Sequence, residues 1–119
     1  MKRKTLRNHK DFFMSSGHIK TTNDFFVVKA QSEKIPGHAR YGLIASKRIF
    51  KLAVERNRAK RLARDWLTVH EDLMLPDFDY VFILQKPILN CHREFGRRNM
   101  KRSLKNIART YRKNVLQPQ

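Results

Sequence analysis

The chain has one cysteine, Cys91, among its 119 residues. No disulfide can close within it, and such cysteine usage fits a reducing compartment, so the cytoplasm is the expected location. Long apolar runs are also missing. Nothing approaches the ~18 consecutive apolar residues of a membrane-crossing helix. Residues 1–7 are basic, with no apolar segment behind them, and do not read as a secretory signal. There is no repeat, low-complexity block or internal linker, and 119 residues suffice for one domain around one core. A single domain over 1–119 is expected, with a flexible basic arm (1–7) and a flexible tail (114–119).

Catalytic and metal-binding patterns are scarce. His9, His18, His38, His70 and His92 are scattered, with no HxxxH or HExxH pair, and Cys91-His92 lacks the further thiols that zinc would need. The phosphate-loop, dinucleotide and nucleophile-elbow signatures are absent. Acidic residues number only 10. Glu71, Asp72, Asp77 and Asp79 gather around Pro76, where they read as a solvated connector and not as a two-metal centre. No catalytic residue and no metal ligand on the protein are expected.

Positive charge is abundant. Lys and Arg total 27, giving a net charge of +17. It concentrates in Ser46-Lys47-Arg48-Ile49-Phe50-Lys51-Leu52-Ala53-Val54-Glu55-Arg56-Asn57-Arg58-Ala59-Lys60-Arg61-Leu62-Ala63-Arg64, where Glu55 is the sole acid. A solvated helix usually mixes charge signs. One sign at this density points to a polyanion, with nucleic acid ahead of anionic lipid. Arginine forks grip phosphate bidentately, lysine adds point charge, and Asn57 among them suits a base edge, a ribose hydroxyl or a hydrated metal on the nucleic acid.

The periodicities give α+β, with helices packed on a small sheet. A short helix is expected over 8–16, carrying Phe12 and Phe13. Phe25-Phe26-Val27-Val28 and Tyr41-Gly42-Leu43-Ile44-Ala45-Ser46 read as strands, pairing as an antiparallel hairpin across a turn at 32–39. Alternation along the first strand would send Phe25 and Phe26 to opposite faces. A central helix over 52–70 carries an apolar stripe of Ala59, Leu62, Ala63, Trp66 and Val69, extended backwards by Leu52. Asn57, Arg61, Arg64 and Thr68 lie opposite, with Lys60 beside them and Arg56 nearer the core. Asp65 is spaced to pair weakly with Arg61. Tyr80-Val81-Phe82-Ile83-Leu84 reads as a strand buried on both faces, ended by Pro87. The last helix, over 94–113, has a stripe of Met100, Leu104, Ile107, Ala108 and Tyr111. Its Arg97, Arg98, Lys101, Arg102, Lys105, Arg109, Arg112 and Lys113 form a second basic surface.

Arg56-Asn57-Arg58-Ala59-Lys60-Arg61, preceded by Gly42-Leu43-Ile44-Ala45-Ser46-Lys47-Arg48, resembles the protein subunit of bacterial ribonuclease P. The resemblance extends from about Leu6 to Lys113, including Asp11-Phe12 and Asp79-Tyr80-Val81-Phe82-Ile83. It implies a two-layer α-β-β-β-α-β-α sandwich with a small, mainly antiparallel sheet. A third short strand would lie near residues 18–20, and the βαβ crossover would be left-handed, as in a domain of a small-subunit ribosomal protein. It also implies an RNA-binding subunit that assists a catalytic RNA in endonucleolytic removal of 5′ leaders from precursor tRNA. The chemistry and the Mg²⁺ would belong to the RNA and substrate, and no membrane or small-molecule partner is implied. The RNA contacts would be Ser46, Lys47, Arg48, Lys51, Arg56, Asn57, Arg58, Lys60, Arg61 and Arg64. Phe12, Phe25 or Phe26, and Lys29 would line a cleft for the single-stranded leader. The residues alone also admit a non-catalytic ribosomal or chaperone-like RNA-binding protein. A self-sufficient nuclease and a peripheral membrane protein fit less well.

Overall fold

A computed structural model describes residues 4–5, 18–32 and 40–116. The chain order is β1 (Lys4–Thr5), β2 (Ile19–Thr22), β3 (Phe26–Ser32), β4 (Arg40–Ile44), α1 (Ala53–Val69), β5 (Phe78–Leu84) and α2 (Arg93–Leu116). Short 3₁₀ turns at Glu71–Leu73 and Lys86–Asn90 flank β5. The expected short helix over 8–16, with Phe12 and Phe13, and the turn at 33–39 lie outside the described residues.

The five strands form one sheet in the order β1-β4-β5-β3-β2. β2–β3 and β3–β5 pair antiparallel, while β4–β5 and the short β1–β4 pair are parallel. β3 and β4 are therefore not hairpin partners, contrary to expectation. β5, the most apolar strand, takes the central position between them. The expected third strand is β2, and two residues of the expected flexible arm, Lys4 and Thr5, form β1.

Pairing places Phe26, Val28, Ala30, Tyr41, Leu43, Phe78, Tyr80, Phe82 and Leu84 on one face of the sheet. That face is sealed by Ala59, Ala63, Trp66 and Leu67 of α1 and by Met100, Leu104 and Ile107 of α2 in a continuous core. Val27, Lys29, Gln31, Val81 and Ile83 alternate to the other face. Asp79 lies on that face but is 4% exposed. It is not the solvated connector residue expected, because its carboxylate accepts from the Arg40 backbone N–H at 2.7 Å and from Arg40 Nη2 at 3.1 Å. The β4–β5 seam is thus pinned by a partly buried ion pair.

The buried arc of α1 is rotated relative to its expected stripe. Leu67 is fully buried, whereas Val69 is half exposed. Leu52 is exposed because it is the extended N-cap residue and not part of the helix. The helices meet where Gly96 of α2 lies on the Trp66 ring, so closely that any Cβ at 96 would fall within the indole. Asp65 crosses to Arg97 (3.1 Å) instead of pairing with Arg61. α2 runs to Leu116, three residues beyond the expected end and into the expected flexible tail. Tyr111, at the edge of its stripe, packs edge-on against Phe78 at 4.8 Å between ring centres.

Candidate nucleic-acid interface

The basic loop after β4 is rigidly anchored. Phe50 is wholly buried and its N–H donates to Ser46 O at 2.8 Å. The Ile49 N–H donates to Ser46 Oγ at 3.3 Å. These bonds fold the turn and leave Lys47, Arg48 and Lys51 exposed. Ser46, expected at the RNA surface, is half-buried and its hydroxyl serves the turn.

The helix begins at a reinforced end. Glu55 accepts from the Leu52 N–H at 3.4 Å and from Lys86 Nζ at 3.0 Å, and these two bonds hold its carboxyl below the usual carboxylate value. Lys86 also lies 5.9 Å from the centre of the Phe50 ring. The single acid of the basic run is thereby committed to the helix start and to a lysine on another element.

The Arg56-Asn57-Arg58-Ala59-Lys60-Arg61 run divides by direction. Arg56 Nη1 donates to Phe50 O (2.8 Å) and Lys51 O (3.2 Å), clamping the basic loop onto α1. Arg58 Nη2 reaches Leu89 O at 3.4 Å, toward the 3₁₀ turn after β5. Asn57, Lys60, Arg61 and Arg64 instead line, with Val54, a shallow groove of about 500 Å³ on the outer side of α1. Arg64 Nε donates to Tyr41 Oη at 3.4 Å, which fixes one wall. Among the described residues none of these four side chains meets a carboxylate. Four adjacent polar side chains, three of them uncompensated cations, form a surface complementary to phosphate.

Among the described residues, the expected leader-cleft side chains do not share one face. Phe12 lies outside the described residues. Phe26 is completely buried on the helix side against Phe82. Phe25 precedes β3, so strand alternation does not govern it, and it too turns to the helix side against Trp66 and Phe95. The cause is Asn23. Its Oδ1 accepts from the Phe25 (2.8 Å) and Phe26 (3.1 Å) N–H groups, and its Nδ2 donates to Ser103 Oγ at 3.1 Å. This Asx-type turn ties the β2–β3 connection to α2. Lys29 alone of the described cleft candidates lies on the other sheet face, half-buried and flanked along the strand by Val27 and Gln31. The turn-making role of Asn23 was missed in the sequence, where an Asn just before an apolar strand was its only signal.

Cys91 is a half-buried free thiol whose pKa is raised by burial. Among the described residues no three His, Cys, Asp or Glu side chains converge as metal ligands, and no helix is long and apolar enough to cross a membrane.

A mixed sheet backed by two basic helices, with an uncompensated cationic groove on α1, defines a small α+β protein of the polyanion-binding class. The ribonuclease P family model matches residues 1–108, and the chain belongs to the family of ribonuclease P protein components. The Proteus mirabilis ribonuclease P protein component is 34% identical over 80 residues, covering 67% of this chain and 65% of that protein. The chain thus aligns with just under two thirds of that relative's length. The Exiguobacterium sibiricum protein component is 40% identical over 65 residues, covering 55% of each chain. Among solved structures, the Staphylococcus aureus RNase P protein superimposes with a TM-score of 0.67 at 25% identity, over 92% of this chain and 96% of that one. The Thermotoga maritima RNase P protein shares the fold, with a TM-score of 0.73 at 24% identity over 88% and 98% of the two chains.

Proposed function

We propose that this protein is the RNA-binding subunit of a ribonuclease P. It would assist a catalytic RNA in removing 5′ leaders from precursor tRNA in the cytoplasm. The observation that carries this reading, together with family membership, is the groove of Asn57, Lys60, Arg61 and Arg64, whose cations lack carboxylate partners among the described residues. In this reading those four side chains contact the catalytic RNA directly, joined by Lys47, Arg48 and Lys51 from the anchored loop. Arg56 and Arg58 hold the flanking loops in register, and Ser46 shapes the turn. Neutralising RNA phosphates lowers the Mg²⁺ needed for RNA folding and substrate docking, with the metal bound by RNA and substrate. Lys29 and its sheet face receive the leader, with Phe12 as its partner. Phe25 and Phe26 support that strand from the core side.

The test is cleavage of a 5′-leader precursor tRNA at low Mg²⁺ by a bacterial ribonuclease P RNA, with and without the protein, alongside a protein-only reaction. Cleavage at the mature 5′ end that needs both components is the expected result. Tight RNA binding without stimulation would favour a chaperone-like role, and cleavage by protein alone would place chemistry on the protein.

A further inference from the structure

The outer side of α2 takes no part in the groove on α1. Phe95, Arg98, Arg102, Lys105, Arg109 and Lys113 recur every three or four residues, opposite the buried Met100, Leu104 and Ile107. All five cations are exposed, and none meets a carboxylate among the described residues. At 1.5 Å per residue the ridge is about 27 Å long, with a cation on nearly every turn. It ends in two built features. At one end Phe95 is 49% exposed, with its ring held edge-on to Phe25 at 5.7 Å. Toward the other, Lys105, Arg109 and Arg112 line a cavity of about 400 Å³ with Leu73, Pro76 and Asp72. Three cations outnumber the one carboxylate there.

A core explains the other side of α2, but nothing in the fold needs this many cations of one sign along the outer side. Mutual repulsion along such a ridge is relieved by a polyanion. A fixed, half-exposed aromatic at the head of a cationic track is the arrangement that accommodates an unpaired base while the backbone follows the charges. We infer that the outer ridge of α2 is a second RNA-binding surface. It would hold a phosphodiester backbone along Arg98, Arg102, Lys105, Arg109 and Lys113 and an unpaired base on Phe95, so that the protein grips two RNA segments at once. The inference rests on the reading of the protein as an RNA-binding subunit but concerns a different face of it.

The test uses the full chain and a bacterial ribonuclease P RNA, with affinity measured against KCl concentration. Three proteins are compared: the native chain, a groove variant (K60Q/R61Q/R64Q) and a ridge variant (R98Q/R102Q/R109Q/K113Q). None of the substituted side chains is buried, and unchanged thermal melting would show that both variants fold. Losing about 0.7–0.9 of a log–log unit per phosphate contact, the ridge variant is expected to lower the salt slope by roughly 3. The groove variant should lower it independently. A photoreactive p-benzoylphenylalanine in place of Phe95 should crosslink to the RNA, at nucleotides different from those captured by the same group in place of Asn57. A ridge variant with native affinity and slope would overturn the inference. So would a reduced slope without a crosslink from position 95, which would reflect net charge alone. A ridge that binds while the groove variant behaves as native would leave this inference standing and refute the assignment of the groove.

Discussion

Arg61 and Arg56 stand five residues apart on one helix and do different work. Arg61 faces the open groove, while Arg56 spends its guanidinium on two backbone carbonyls. An Arg61→Ala substitution should therefore leave thermal stability nearly unchanged and reduce the salt slope of RNA binding by about 0.7–0.9 of a unit. If the six cations of the groove and the basic loop each contact a phosphate, that face alone should contribute about −4 to −5 to the native slope. Arg56→Ala should instead loosen the loop over 46–51 and lower affinity indirectly, seen as faster amide exchange there. Gly96 shows a different constraint. Alanine there would gain roughly 1 kcal/mol of helix propensity. Its methyl would intrude on the Trp66 indole, which is backed by the Phe25 ring. Overpacking against rigid rings typically costs about 1–3 kcal/mol, and overlap this deep should reach the upper end. Gly96→Ala is expected to lower the urea midpoint, and a midpoint at or above native would contradict the close helix crossing.

At the scale of elements, α1 and α2 are joined by the Trp66–Gly96 contact, the exposed Asp65–Arg97 pair and His70. Trp66→Ala removes the largest fully buried side chain and should cost ~3–5 kcal/mol. The surface pair should contribute under about 1 kcal/mol. His70 caps the end of α1, and its pKa is held below the usual 6.5, first by burial and then by Lys101, Arg97 and Lys105. An Arg97 backbone hydrogen bond partly opposes the shift. The unfolded chain accordingly takes up this proton at higher pH than the folded one. The stabilisation is complete above 6.5 and is lost as pH falls toward the folded-state value. Urea midpoints measured at about pH 7.5 and 5.5 should drop less on acidification in His70→Gln than in the native protein. Much at this scale was readable in the sequence. α1 starts and stops within one residue of its periodic pattern, and β5 announced itself as a continuous apolar run, because both signals are local. The strand order was not readable, since β5 reaches its place between β3 and β4 through pairings across tens of residues. The buried state of Asp79 depends on Arg40, 39 residues away. The inward turn of Phe25 depends on one Asn23 side chain, whose turn leaves Phe25 outside the strand and so outside its alternation.

The whole molecule carries +17 on 119 residues, and its architecture keeps that charge off the core. The sheet's inner face and the inner sides of both helices are apolar, while the described cations lie mainly on the outward sides of the helices and in the loop over 46–51. The charge pattern of the candidate site was legible because outward helix positions follow from 3.6-residue periodicity. Which arginines were free and which were clamps was not, because that is decided by carbonyls brought close only on folding. The central claim is that the outward charge serves a catalytic RNA. The most direct measurement is the Mg²⁺ concentration at which a bacterial ribonuclease P RNA half-maximally cleaves a 5′-leader precursor tRNA, with native protein and with K60Q/R61Q/R64Q. The native protein should lower that concentration severalfold and the variant should do so much less, while both remain folded. A variant that lowers it as well as the native protein would contradict the account.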